Sequence, residues 1–576
     1  MRKWIMVIVA AGILAGIWAM AADKLKDNGK QEASGYAFDG HMSQDTLNRY
    51  LSRSVKILNL AFFYEDAEKK REWLRFIANT GAKHIGRAAI IWTDFEADES
   101  MFTGAGQMAE AVHAQDPEII LQAAIFETTA ESVNDIPIPA WVFEEFELPP
   151  EKRNFNYEAM LYHDGRYLDN WGPGKSVPDI TQQETQLFFF YRAKRFIDLG
   201  YESIHMGQVR LMGEEDIGYA EWNRLLKRIR AYAAEHGRRH NVLLDAHVNE
   251  VYDDSPGERS VSSSNANASE RKLAFDFVGY PARNKPLPHF PQETKLELNY
   301  LDSFYRKTIG GLNPQGWVSS HTPYLIELDN FGGTYGTPGK SDFFLPWGYD
   351  EIAWFAHQGD DYRRSWLAYA YDWIRTNDPN GHLQMAAYNT LGNAPVGSND
   401  YYNAITPSKV YPSSFGDEET IKAIWEQSKK SGTIEDELKD LTRTYRLSRR
   451  VIYDPRPSDS FGGDEKRLTN ESGKNEYVIY KAPFASGKGV LSGFTVEAWL
   501  AESDPSADLR FYVSADDDSY EPYTPDKKAA ESTENKTIYT GGSFPKGTKY
   551  VKIRFPDSPG AAQIGRVTLN YESIDE

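Results

Sequence analysis

Between Lys56 and Asn377 short apolar runs alternate with stretches of helical period, and this alternation constrains the fold more than any other feature of the chain. The runs are KILNLAFFY (56–64), HIGRAAIIW (84–92), EIILQAAIFE (118–127), SIHMGQV (203–209), NVLLDAHV (241–248), FDFVGYP (275–281), YLIELDNFG (324–332) and EIAWFAHQ (351–358). Strands this apolar need cover on both faces, which parallel βα units supply, and eight such units close into a barrel. Helical stretches fall between them, such as EKKREWLRFIANTG after the first run and YAEWNRLLKRIRAYAAEHG after the fourth; DDYRRSWLAYAYDWIRTND follows the eighth. Apolar residues recur in them at three- and four-residue spacing, and several end in glycine. The expected fold is therefore α/β, a (β/α)8 barrel over residues 40–400.

Past residue 400 the pattern changes. A charged helical linker is expected at 401–455, and 456–576 alternates with period two, as in EYVIYKAP, GFTVEAWLA and KYVKIRF. That alternation, broken by Gly, Asp and Pro turns, predicts an all-β antiparallel sandwich. Such a domain would hold the protein on its substrate or buttress the barrel. At 576 residues the chain has ample material for both domains.

The N-terminus, MRKWIMVIVAAGILAGIWAMAADK, has two basic residues, an apolar run and Ala-Met-Ala. It reads as a secretory signal over residues 1–22, the alternative being an uncleaved anchor. No other segment is apolar enough to span a bilayer, so a secreted or envelope-associated bacterial protein is expected. The absence of cysteine removes disulfides, thiolate catalysis and thiolate metal sites. A net charge of −20 argues against a nucleic-acid partner. Walker A, Gly-x-Gly-x-x-Gly, Gly-x-Ser-x-Gly and His-Glu-x-x-His patterns are missing, and the first run carries no His-x-His pair. No cofactor and no metal is expected.

Within YLIELDNFG, Leu325, Glu327 and Asp329 share one side of a strand while Tyr324, Ile326 and Leu328 share the other. The second set suits the helices, so Glu327 and Asp329 are expected to face the barrel interior near its C-terminal rim. By the same parity Glu127 ends the third run on the face of Leu121, Ala123 and Ile125. Asp245 and His247 align with Leu243 in the fifth run. Either His205 or Gln208 points inward from the fourth, and Trp354, His357 and Gln358 close the ring at the eighth. Trp141, Trp171, Trp317 and Trp347 fall on predicted rim loops, where indole faces suit sugar rings.

Carboxylates from separate strands around one hollow are what glycosidic hydrolysis needs. The segments GRAAIIW, QAAIFE, IHMGQVRLMG, LLDAHV, YLIELDNFGG and WGYDEIAWFAHQGDDYRRSWLAYAYDW resemble secreted bacterial glycoside-hydrolase-like barrel proteins of an uncharacterised family, and the tail resembles the jelly-roll modules that accompany them. The large retaining superfamily of such barrels carries Asn-Glu after strand four and Glu after strand seven. This chain matches at Glu327 but has Gly207-Gln208 in place of Asn-Glu. The resemblance implies Glu327 as nucleophile or base, leaving Glu127, or Asp245, to supply the proton. Asp329, Asp245, His247, His205, Gln208, His357, Trp354, Trp317 and Trp171 are expected to bind the glycan. The rivals are a non-catalytic glycan-binding barrel, favoured by Gln208, and a metal-dependent hydrolase using Asp245, His247 and His357.

Overall fold

The computed structural model describes residues 35–247, 271–298, 300, 310–328, 347, 350–392 and, with short interruptions, 396–573. Asp329 lies outside the described residues. The barrel strands are β1 (Ser54–Ile57), β2 (His84–Ile90), β3 (Ile120–Ala124), β4 (Ser203–His205), β5 (Leu243–Ala246), β6 (Phe277–Pro281), β7 (Tyr324–Glu327) and β8. Strand β8 runs as Gly381–Leu383 and, past Gln384, as Met385–Thr390. Its first half pairs in parallel with β7 and its second half with β1, so the sheet closes on itself. The fold is a (β/α)8 barrel followed by antiparallel β-sheets.

The helices include α1 (Gln44–Ser52), α2 (Ala67–Thr80), α3 (Asp98–Gln115), α4 (Gln183–Asp198), α5 (Ala220–His236), α6 (Glu351–Ala356), α7 (Asp360–Asn377) and α8 (Glu418–Glu426), with short helical turns at Ala140–Glu145 and Val209–Met212 in the loops. Helix α2 shows how sequence sets such elements. The Asp66 carboxylate caps it by accepting from the backbone N–H groups of Glu68 and Lys69, and Gly81 stops it at φ 69°. Trp73, Phe76 and Ile77 form its buried face. Asp66→Ala would cost about 1 kcal/mol through the lost cap.

One expected strand is a helix. EIAWFAHQ forms α6, started by Asp350, whose side chain accepts from the Ala353 N–H at 2.9 Å. All six residues of α6 are buried, so it shows no polar face, and an apolar run without periodicity does not distinguish helix from strand. The eighth strand lies after α7 instead, in GHLQMAAYNT.

The barrel's N-terminal end is plugged. Ile120, Leu243, Phe277 and Leu325, from the starts of β3, β5, β6 and β7, cluster with Leu47, Tyr50 and Leu51 of α1. This confirms the inward parity of Leu325 and Leu243. The interior beside the plug turns polar: Ser54 Oγ lies 2.7 Å from His84 Nδ1 and accepts from Gln384 Nε2 at 2.9 Å, while Gln122 donates to Asp245 Oδ1 at 2.8 Å. Buried polar groups persist when paired in this way.

The sandwich has two sheets, one built around Ala562–Ser573 and Gly489–Leu500, the other around Tyr477–Lys481, Tyr550–Arg554 and Arg510–Ser514. Part of the stretch expected as helical linker belongs to it. Past α8, Ser431–Asp436 pairs with Ala562–Ser573, Arg446–Leu447 with Tyr477–Lys481, and Val451–Tyr453 with Leu468–Asn470. Asp45 on α1 accepts from Lys481 Nζ at 2.7 Å and Tyr550 OH at 2.6 Å, and pairs with Arg49 at 2.8 Å. Burial would raise the Asp45 carboxyl, but Lys481 and Arg49 outweigh it and hold it far below the usual range. The sandwich therefore docks at the plugged end, beneath α1.

Candidate active site at the barrel mouth

The C-terminal ends of the strands converge on a charged network. Glu327 ends β7, and its Oε2 accepts from Lys56 Nζ of β1 at 2.6 Å. Its Oε1 accepts from Arg87 Nη2 of β2 at 2.5 Å. The same Arg87 nitrogen lies 2.9 Å from His247 Nε2, while His247 Nδ1 lies 3.1 Å from the Gly279 carbonyl. Burial alone would raise the Glu327 carboxyl; Arg87, then Lys56, overcome it and hold Glu327 ionised.

Lys56 and Arg87 escaped sequence reasoning. Strand parity aims Lys56 inward, and its long stem carries the ammonium to the rim. Arg87 depends on backbone geometry that sequence hides. It sits at φ 52°, where β2 shifts register against β3 between Ile85 and Ala89. Its N–H is taken by Gln122 Oε1 at 3.0 Å and its carbonyl by the Asn59 N–H at 3.0 Å. A left-handed non-glycine residue costs about 1–3 kcal/mol, offset here by these bonds and by the ion pair.

Deeper in, Asp245 of β5 and His205 of β4 form a pair, Oδ2 to Nδ1, at 2.7 Å. Gln122 Nε2 donates to the other oxygen, Oδ1, at 2.8 Å. Burial pushes Asp245 well above the carboxylate range against the pull of His247 and Arg87. Burial, aided by Arg87, pushes His205 down to about 3. Both shifts favour the neutral pair, with the Asp245 hydroxyl donating to Nδ1 and the His205 proton on Nε2. That Nε2 is buried without a hydrogen-bond partner in the described structure.

Glu127 reaches the mouth by a route different from the expected one. Leu121, Ala123 and Ile125 pack outward among the helices, and Gln122 points inward. Strand β3 ends at Ala124, and the chain then turns Glu127 toward Gln208. Glu127 is 4% exposed; its Oε2 accepts the Gln208 N–H at 2.9 Å and its Oε1 the Gln208 Nε2 at 2.8 Å. Gly207, at φ 61°, makes the approach possible, since a Cβ there would stand 2.1 Å from Glu127 Oε2. His205 and Gln208 are thus both at the site, one from the strand and one from the turn beyond it.

Several expected residues lie elsewhere. Trp354 is fully buried in α6 and donates to the Gln292 carbonyl at 2.9 Å. His357 ends that helix, its Nδ1 2.7 Å from the Ala353 carbonyl, and lines a separate cleft with Arg364, Asp372 and Phe415. Trp317 is at the plugged end, donating to the Met42 carbonyl at 3.0 Å. Trp141 stacks on Tyr191 of α4, and Trp347 packs against Trp354. Of the rim tryptophans named from sequence, Trp171 is at the mouth, where its Nε1 donates to the Glu127 carbonyl at 3.0 Å. Among the described residues no group of three His, Asp or Glu side chains is arranged to hold a metal.

Seven large hydrophobic side chains are exposed among the described residues. All but Tyr369 of α7 (Phe62, Trp92, Leu168, Ile217, Phe290 and Tyr401) follow the C-terminal end of a barrel strand.

No family model matches the sequence, and no curated protein matches it. Among solved structures, an isomalto-dextranase from Arthrobacter globiformis complexed with panose is similar, at 9% identity and a TM-score of 0.43, over 92% of this chain and 99% of that one. A debranching enzyme from Nostoc punctiforme is similar at 10% identity and a TM-score of 0.33, over 90% and 98%. The C-terminal CBM6 of a marine laminarinase from Zobellia galactanivorans is similar at 12% identity and a TM-score of 0.16, over 24% of this chain and 98% of that one.

Proposed function

We propose that the protein is a glycoside hydrolase acting on a neutral oligo- or polysaccharide at the barrel mouth. The observation that carries this is the meeting at one mouth of two buried carboxylates from separate elements, Glu327 of β7 held ionised between Lys56 and Arg87 and Glu127 held by Gln208. Paired carboxylates around one hollow are what glycosidic hydrolysis requires. Glu327 is the ionised nucleophile or base. Glu127 is the acid, oriented by Gln208; with its amide turned over, Gln208 Oε1 accepts from a protonated Glu127 in the same geometry. His205 and His247 hold sugar hydroxyls, and Asp329 is assigned the same task from its sequence position. Residues 1–22 serve as an export signal, which the mass of the exported protein would reveal.

The test is a panel of aryl-glycosides and oligosaccharides with wild type, Glu327→Gln and Glu127→Gln. Turnover by wild type and loss of at least about a hundredfold in both folded variants supports the assignment. A second reading, glycan binding without turnover, draws on the capture of both oxygens of Glu327 by cations and of Glu127 by Gln208. Saturable binding of an oligosaccharide that wild type never cleaves would establish that alternative.

A further inference from the structure

Trp92, just past β2, is 38% exposed although it stands beside two aromatic side chains that are more enclosed. Its ring meets Phe126 edge-on at 5.2 Å and Trp171 edge-on at 5.1 Å. Its backbone is pinned as well: Thr128 Oγ1 donates to the Trp92 carbonyl, and Ser132 Oγ to that of Thr93 at 3.4 Å. Trp171 is fixed in turn by its bond to the Glu127 carbonyl and by its N–H donating to the Lys175 carbonyl at 3.0 Å. Phe126 immediately precedes Glu127 and carries His205 edge-on at 5.4 Å and the Arg87 guanidinium 5.4 Å from its ring centre. A continuous aromatic corner thus leads from the Glu127 turn and the barrel heart out to one rigid indole in solvent.

We propose that Trp92 is a sugar-stacking subsite, receiving the apolar face of a pyranose ring next to the unit held at Glu127 and Glu327. The subsite presupposes the glycan substrate proposed above. Trp92 keeps 38% of its surface exposed beside these partners, and a side chain already locked by Phe126 and Trp171 loses little rotamer freedom when a ring lands on it. The substrate it fits is a chain of at least two neutral sugars, because a single unit engaged at the carboxylates leaves Trp92 uncovered.

The experiment compares wild type, Trp92→Ala and Trp92→Tyr by calorimetric titration and turnover. Its probes are malto-, isomalto-, cello-, laminari- and xylotetraose, with an aryl monosaccharide alongside. Trp92→Ala is expected to weaken binding of the preferred tetraose about tenfold. Trp92→Tyr should recover most of that loss, and the loss should be clearly larger for the tetraose than for the monoglycoside. Equal tetraose affinity in wild type and Trp92→Ala would overturn the subsite while leaving hydrolysis intact. If wild type neither binds nor cleaves any probe, the subsite and the glycan substrate fall together. Trp92 is a rim residue, so unaltered thermal unfolding of the alanine variant separates lost stacking from lost fold.

Discussion

Replacing Lys56 with methionine tests the charge network most directly. The Lys56 ammonium and the Glu327 carboxylate are 2.6 Å apart, with side chains only 2% and 6% exposed. Methionine keeps the stem and removes the charge, so the loss is electrostatic, without a large cavity term. Removing one member of a buried pair costs about 3–5 kcal/mol. Arg87 stays bonded to Glu327 and keeps part of the compensation, which places the expected loss near the lower end, about 3 kcal/mol at pH 7. The sign with pH follows from the depressed Glu327 carboxyl. A carboxylate held below its unfolded value stabilises the fold above that value and ceases to do so as pH falls through the folded one. The gap between wild type and Lys56→Met should therefore be full at pH 7, begin to narrow below about pH 5 and go on narrowing as the pH falls further. Urea unfolding at several pH values measures it. A loss below about 1 kcal/mol, or a gap that does not change with acidity, would refute the claim that Lys56 holds Glu327 ionised.

Gly207→Ala places a methyl against Glu127 Oε2 and into a left-handed backbone position, so it should cost about 1–3 kcal/mol in thermal unfolding and abolish turnover by displacing the carboxylate. Asp45→Asn leaves Lys481 and Arg49 without their shared carboxylate at the domain junction. It should loosen the sandwich by about 3 kcal/mol, read as faster proteolysis between the domains with the barrel still folded. His84 is pushed down to about 3 by burial, so its unfolded form takes up a proton below about pH 6.5 while the folded form does not. His84→Gln should remove about 1.4 kcal/mol per pH unit from the acid-side slope of stability in that window, measured by denaturant titration at stepped pH.

Seven of the eight strands were legible because a strand covered on both faces must be apolar throughout. The same logic misplaced the eighth. Helix α6 is buried on every side and reads like a strand, whereas GHLQMAAYNT carries His382 and Gln384 inside the barrel. Parity found Glu327, Asp245 and His247 because those residues belong to regular strands or lie just beyond them. It gave the wrong faces in β3, since Glu127 belongs to the turn rather than the strand. Arg87 was beyond reach, because a register shift and a positive φ are tertiary choices that no local pattern announces. Trp317 was misassigned for a simpler reason: a loop tryptophan has the same sequence signature at either end of a barrel, and the bond to Met42 decides which.

The sandwich and α1 both occupy the end of the barrel away from Glu327. The first described residues run there too, Gly40 bonding to the Arg239 carbonyl below β5. Immobilising the protein on a bead or a cell wall through its leading segment would therefore leave the opening turned toward the surrounding medium. Long polymers would then be approached from the free side, and grafting a different module onto the rear should leave access unobstructed.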